Sequence, residues 1–310
     1  MPLSPFTLLY DRALGAYLGL ACGDALGATV EFLTPREIKA QIGVHKDMTG
    51  GGWLRLKPGQ ITDDTEMSLH LGQAIVHSKG WNLAAVADAF AAWLKSKPVD
   101  VGATCRRGIK RYMLEGILQG PESDTDGGNG AAMRNLPVAL FTLGDRELFE
   151  RCTREQSHIT HHHALADAGT LALGEILQTL LLGGGVKHCR PIATRLIETH
   201  RQFKFDPYPG RASGYIVDTV QTVFYHFFFT DSFENCVVET VNRGEDADTT
   251  GALAGMLAGA LYGAKAIPKR WINKLDHHVV KEIEHQVKAL LQMAPINAVE
   301  AVNHGEHGGK

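Results

Sequence analysis

Two runs of glycine at four-residue intervals constrain this chain more than any other feature. Gly15, Gly19, Gly23 and Gly27 form one, and Gly251, Gly255, Gly259 and Gly263 the other. Residues four apart lie on one helix face, so each run is a stripe without side chains against which another backbone can come close. A glycine inside a helix costs about 1 kcal/mol relative to alanine, so eight of them call for a packing reason. The expectation is that a first helix over about 11–28 and a second beyond 251 pack together, or against near neighbours, at the centre of the protein.

The second stripe grows out of an acidic segment, Gly244-Glu245-Asp246-Ala247-Asp248-Thr249-Thr250-Gly251. Thr249 or Thr250 is the expected helix cap, and an extended backbone before it would point Asp246 and Asp248 the same way. Taken alone this segment reads equally well as a solvated cap. Ile61-Thr62-Asp63-Asp64-Thr65-Glu66-Met67 repeats the construction ahead of an expected helix over 67–76. Neither cluster contains a lysine or arginine, and four gathered carboxylates need a cation. Oxygen-only ligands suit Mg²⁺ or Mn²⁺ rather than Zn²⁺, and four acids with threonine hydroxyls exceed what one Mg²⁺ usually draws from protein, so two ions fit. Glu31 follows the first glycine stripe and can be delivered to the same place.

With 310 residues and 44% hydrophobic content, the chain can bury a large core. Its net charge of −3, with the signs interspersed, offers no nucleic-acid surface and no polybasic membrane patch. The five cysteines are scattered without a C-x-x-C pair, which points to reduced thiols in a cytosolic protein and away from a disulfide framework. No signal peptide or membrane span is expected, since charges interrupt the apolar runs. Alternating strand patterns are scarce. The expected fold is all-α, a single domain over 1–300 with a disordered tail at 301–310, and a monomer is expected because no heptad or apolar patch points to self-association.

The glycine-rich loop 43–60 holds Trp53 and leads into Thr62. A helix is expected over 83–95 and another with Arg106, Arg107, Lys110 and Arg111, whose cations read as a solvated face in preference to a phosphate site. The loop 120–130 ends in Gly127-Gly128-Asn129-Gly130 before an expected helix from Ala131. It can act as an anion cradle, although it is neither a Walker A nor a Rossmann sequence. Three consecutive histidines, His161 to His163, cannot all face one ion, so one of them with a specific role is expected. Tyr215, Val220, Val223, Phe224, Phe227 and Phe228 make a helical apolar face.

Five separated motifs together resemble the ADP-ribosylglycohydrolase family: Gly23-Asp24-Ala25-Leu26-Gly27, Thr62-Asp63-Asp64-Thr65, Gly128-Asn129-Gly130-Ala131-Ala132-Met133-Arg134, Thr160-His161, and Asp246-Ala247-Asp248-Thr249-Thr250-Gly251. They cover nearly the whole chain in order. The stretches around 202–208, 215–219 and 237–251 are similar to the bacterial branch that acts on the nitrogenase iron protein.

The resemblance implies an all-helical fold with a binuclear Mn²⁺ or Mg²⁺ centre that hydrolyses the N-glycosidic bond between ADP-ribose and an arginine of that iron protein. It further implies Thr62, Asp63, Asp64, Asp246, Asp248 and Thr249 as metal ligands, Glu31 beside the centre and Asp100 near the scissile bond. Gly102, Asp124, Asn129, Gly130, His161 and Tyr215 would hold the ADP-ribose. Asp124 stands where the branch carries a glutamate. A PII-type nitrogen-signalling partner and peripheral recruitment to the membrane are also implied by the branch, with no motif for either. Asp100 and Glu31 are alternative proton acceptors, and the residue types do not choose between them. The rival readings are hydrolysis of ADP-ribosylserine or another ADP-ribose conjugate, a non-catalytic crystallin-like or binding protein, and an unrelated two-metal phosphohydrolase that would release AMP.

Overall fold

The glycine stripes pair face to face. In the computed structural model, which describes residues 5 to 297, α1 (Pro5–Gly27) and α12 (Ala247–Tyr262) run antiparallel in backbone contact. A Cβ on Gly15 would lie 2.3 Å from the carbonyl oxygen of Gly259, on Gly19 2.1 Å from that of Gly255, and on Gly23 1.9 Å from that of Gly251. Gly27 stands in the same relation, 2.0 Å, to the carbonyl of Ala247. The eighth glycine serves differently, since Gly263 caps α12 at φ 80° and adjoins the Asp11 carboxylate. α12 is buried along almost its whole length, and α1 from Gly15 onward.

Around this pair stand α2 (Pro35–Gln41), α3 (Asp63–Ser78), α4 (Leu83–Lys95), α5 (Ala103–Glu115), α6 (Leu136–Phe141) and α7 (Arg146–His158). They are followed by α8 (Ala164–Leu181), α9 (Val186–Thr199), α10 (Ile216–Phe229), α11 (Phe233–Val241), α13 (Lys269–Ile272) and α14 (His277–Met293). Among the described residues there is no strand, only isolated bridges at Gly51/Leu56 and Gly128/Tyr215. One described helix, α8, is long and apolar enough to cross a membrane by length and composition. It carries Asp167 and Glu175, and most of it is buried in the core. All five cysteines are free and buried. The tail expected at 301–310 lies outside the described residues.

Several element boundaries differ from the sequence expectation. α3 starts at Asp63, four residues before the expected 67, so the acids form its first turn, where the positive end of the helix dipole favours them. α12 is capped by Asp246, with Thr249 and Thr250 already inside the helix and the Thr250 hydroxyl donating back to the Asp246 carbonyl at 2.9 Å. Residues 131–134 form turns rather than a helix, and α6 begins only at Leu136, with Pro137 in its first turn. The α4 expectation holds at both ends.

Since there is no room for a methyl group between α1 and α12, Gly23→Ala must push the two helices apart. We expect it to lower unfolding stability in urea by about 3 kcal/mol or more. Gly185→Ser, at an open helix cap, should be close to neutral.

Candidate active site

The ends of four helices and two loops meet at one cavity of about 680 Å³. The antiparallel pairing brings the C-terminus of α1 beside the N-terminus of α12, so Glu31, in the turn after α1, faces Asp246 and Asp248. The N-terminus of α3 adds Asp63, with Asp64 buried behind it, that of α5 adds Asp100 and Gly102, and the loops at 128–130 and 213–214 close the opposite wall.

Asp24 sets the position of α3. Fully buried, its carboxylate accepts from the Thr62 N–H (3.0 Å) and hydroxyl (2.7 Å) and from the Thr65 N–H (3.1 Å) and hydroxyl (2.5 Å). A carboxylate borrowed from α1 thus takes the place of a local N-cap. Burial pushes its pKa up to about 6 even against these four donors.

Two trios of carboxylates hold oxygens within 4.8 Å of one another: Asp63, Asp64 and Asp248, and Glu31, Asp100 and Asp248. Asp248 belongs to both. None of these five acids, nor Asp246, forms an ion pair with a lysine, arginine or histidine among the described residues. Burial, reinforced by neighbouring acids, holds Asp63, Asp64 and Asp248 well above the usual carboxylate range. Burial raises Asp246 too, against a hydrogen bond from the Asn129 side chain. Glu31 reaches about 8, through burial opposed by Trp53, whose indole N–H donates to it at 2.6 Å, and reinforced by Asp100, Asp246 and Asp63. Asp100 is raised by burial, against the Val101 N–H and the nearby Arg106.

The donor set fits a divalent cation. One oxygen of Asp64 is buried with no hydrogen-bond partner, and its other oxygen accepts only a long 3.3 Å bond from the Thr249 hydroxyl. The Thr62 hydroxyl spends its proton on Asp24 and lies 3.4 Å from Asp248. Acceptors without donors in a buried site, all oxygen, are what a hard ion satisfies.

The facing wall is neutral around Asn129, Gly130 and His161, with Arg211 and Glu245 at its edge. Asn129 donates to Asp246 at 2.5 Å and to the Thr219 hydroxyl at 2.9 Å. A Cβ on Gly130 would come within 2.7 Å of the His161 ring and 2.8 Å of the Cys105 sulfur, so glycine there lets the loop close over the imidazole. His161 is held from behind. The Arg134 guanidinium, fully buried, donates to the Thr160 hydroxyl at 2.8 Å, and that hydroxyl lies 2.7 Å from His161 Nδ1. Burial and the Arg134 charge depress the imidazole to about 3, leaving it neutral. With Arg134 already donating to the threonine oxygen, the hydroxyl proton goes to Nδ1, and the ring N–H is then Nε2.

The other two histidines are spent elsewhere: His162 Nδ1 bonds the Gly120 carbonyl at 2.7 Å, and His163 caps α8. Gly102 caps α5 and places its N–H 3.4 Å from Asp63. Asp124 and Tyr215 do not line the cavity. Asp124 is exposed in a 3-10 turn, while its neighbour Asp126 is buried and paired with Arg107 at 2.5 Å. Tyr215 is 42% exposed, and its ring lies beside Gly127. In the basic helix, Arg106 and Lys110 face solvent as expected, but Arg107 takes Asp126 and Arg111 donates to the Ile159 carbonyl at 3.2 Å. Sequence reasoning gave no role to Asp24, Trp53, Arg134 or Thr160. For the first and the last two, a place inside the family-like motifs was the available signal.

The chain is similar to known proteins over most of their length. An ADP-ribosyl-[dinitrogen reductase] glycohydrolase of Rhodospirillum rubrum is 58% identical over 289 residues, 93% of this chain and 98% of that one. ADP-ribosylarginine hydrolase Tri1 of Serratia proteamaculans is 32% identical over 310 residues, 94% of this chain and 82% of that one. A solved structure described as an ADP-ribosylglycohydrolase-related protein complex superimposes with a TM-score of 0.80 at 32% identity, over 93% of this chain and 99% of that one. The sequence profile of ADP-ribosylglycohydrolase matches residues 6–298, and the chain belongs to that family.

Proposed function

We propose that this protein is a metal-dependent hydrolase that removes ADP-ribose from an arginine of dinitrogenase reductase, the nitrogenase iron protein, and so reactivates it. The observation that carries this is the pair of carboxylate trios sharing Asp248 on the floor of the cavity. The 58% identity to a glycohydrolase named for that substrate supplies the target.

Asp63, Asp64 and Asp248, with Thr62, Asp246 and Thr249, would hold Mn²⁺ or Mg²⁺, two ions on the count of donors. When bound, such cations supply positive charge that orients ribose hydroxyls and lowers the pKa of water. The residues do the rest. A water oxygen bonds to the anomeric carbon as the C–N bond breaks, its electron pair leaving with the guanidine, which takes up a proton. Asp100 or Glu31 accepts the proton that the water loses, both standing within reach of Asp248. Trp53 fixes the Glu31 carboxylate. His161, neutral and offering Nε2–H, with Gly102, Asn129 and Gly130, would receive the ADP-ribose. Asp124 and Tyr215 would reach it only from outside the cavity wall. A PII-type partner, cytoplasmic residence with peripheral recruitment, and a monomeric state are part of the same reading.

On an ADP-ribosylarginine protein with Mn²⁺, free ADP-ribose should appear, and EDTA or Asp248→Ala should reduce the rate more than about 100-fold. Release of AMP instead would point to a phosphohydrolase, and action on a serine conjugate alone to the rival hydrolase. Of Asp100→Asn and Glu31→Gln, the one that removes the proton acceptor should lose about 10²–10⁴ in kcat. Full turnover in both would overturn the assignment.

The carboxylate shifts also predict a stability profile. Asp24 rises from 3.8 to about 6 and Glu31 from 4.5 to about 8 on folding, so the folded, metal-free protein binds the extra protons. Their contribution is fully present below about pH 4 and is lost as pH rises to about 8. With EDTA, the Tm should therefore fall from pH 5.5 to 8, and Mn²⁺ should restore it more at pH 8 than at pH 5.5. A metal effect independent of pH would argue against Glu31 standing beside the metal site.

A further inference from the structure

The mouth of the cavity carries two aromatic rings whose faces hydrolysis itself leaves unused, the Trp53 N–H alone being engaged with Glu31. The rings of Phe32 and Trp53 stand 5.3 Å apart at an angle of 52°, and the residues are 64% and 52% exposed. Adjacent large aromatics in water do nothing for the core, and such exposed patches mark interaction sites.

The backbone is built to hold them there. Phe32 sits at φ 63°, a left-handed conformation that a bulky residue adopts at a cost of about 1 kcal/mol or more. Its N–H donates to the Glu245 carbonyl at 2.7 Å, and the Glu245 N–H donates to the Leu33 carbonyl at 2.9 Å, so the turn is locked to the approach to α12. Trp53 stands in a tight loop closed by reciprocal bonds between Gly51 and Leu56 at 2.8 and 2.9 Å. A Cβ on Gly52 would lie 2.8 Å from the Ala28 carbonyl, so this loop is seated on the turn that carries Glu31. The Trp53 N–H then reaches Glu31, which occupies the edge of the indole and leaves its faces to other contacts.

We propose that Phe32 and Trp53 are the receiving surface for the arginine side chain of the modified protein, which lies against the aromatic rings with Glu31 and Asp100 at its edge. This rests on the arginine-linked reading of the function. A guanidinium is planar, weakly hydrated and stacks on aromatic faces, and its N–H groups match carboxylates. The two acids beside the rings offer the carboxyl oxygens that the N–H groups of such a side chain can meet. A serine linkage is short and uncharged, with no face to stack. The surface therefore selects the linkage, while Asn129, Gly130 and His161 serve the ADP-ribose common to both.

The test compares Mn²⁺-loaded wild type with Trp53→Ala, Trp53→Phe and Phe32→Gly, glycine being at ease at φ 63°. Release of ADP-ribose is followed on peptides bearing ADP-ribosylarginine or ADP-ribosylserine, and binding of free ADP-ribose is measured separately by calorimetry. Trp53→Ala and Phe32→Gly should raise KM for the arginine peptide about 5- to 30-fold. Their affinity for free ADP-ribose should stay within about twofold of wild type. Trp53→Phe keeps a ring and should keep KM, so that any fall in kcat reports the lost bond to Glu31. An unchanged KM in both truncations, or an equal loss of free ADP-ribose affinity, overturns the proposal. Wild type that leaves the arginine peptide intact and cleaves the serine peptide defeats the arginine-linked reading itself, a result that needs no variant.

Discussion

The contact between α1 and α12 is the constraint from which the rest follows. Two helices whose carbonyls fill the space a methyl group would need have one register, because sliding by a residue would drive an alanine or leucine into the opposite backbone. In that register the end of α1 meets the start of α12, Gly27 against Ala247. Glu31 beyond one end and Asp246 and Asp248 at the other therefore share a site by necessity. Asp24, one turn back along α1, then pins α3 through four hydrogen bonds and adds Asp63 and Asp64. The acidic floor is thus positioned by backbone packing and helix termini, elements stiffer than any loop.

The same termini make the gathered charge tolerable. α3, α5 and α12 all direct their N-terminal ends at the cavity, each bringing partial positive charge toward the carboxylates. That compensation is incomplete, as the raised pKa values of Asp63, Asp64 and Asp248 show. One full positive charge is buried nearby, on Arg134, but its hydrogen bonds go to Gln156, Thr160 and the sulfurs of Met67 and Cys105, and its face lies over the Phe90 ring at 4.5 Å. It orients the wall around His161 through Thr160 and forms no hydrogen bond to any of the clustered carboxylates.

Much of this was legible in the sequence because it is periodic or contiguous. The glycine stripes announce a close helix pair by their spacing, and Thr62-Asp63-Asp64 and Asp246-Ala247-Asp248-Thr249 announce oxygen ligands by composition. The expected helix start at 67 was late because aspartate and threonine serve as caps as readily as first-turn residues, and what decides between them here is Asp24, 38 residues away. The turn at 131–134 was hidden by helix-favouring residues, and tertiary demand prevailed: the Arg134 side chain is drawn into the core. Asp126 rather than Asp124 is the acid held in place, a choice made by Arg107 on another element. The Trp53–Glu31 bond joins two loops with no shared pattern, so no periodicity could have signalled it.

Why the cluster is left for an exchangeable cation, when Arg134 lies so close, follows from the chemistry required of it. An arginine or lysine paired into the floor would satisfy the carboxylates permanently and fill the coordination space, and a buried ion pair has little net stability to offer in return. A divalent ion held by oxygens keeps part of its coordination sphere for water and substrate, and it can leave. Without it, the acids have protonation as their remaining relief, so the same feature that prepares the site for metal makes the metal-free fold sensitive to pH.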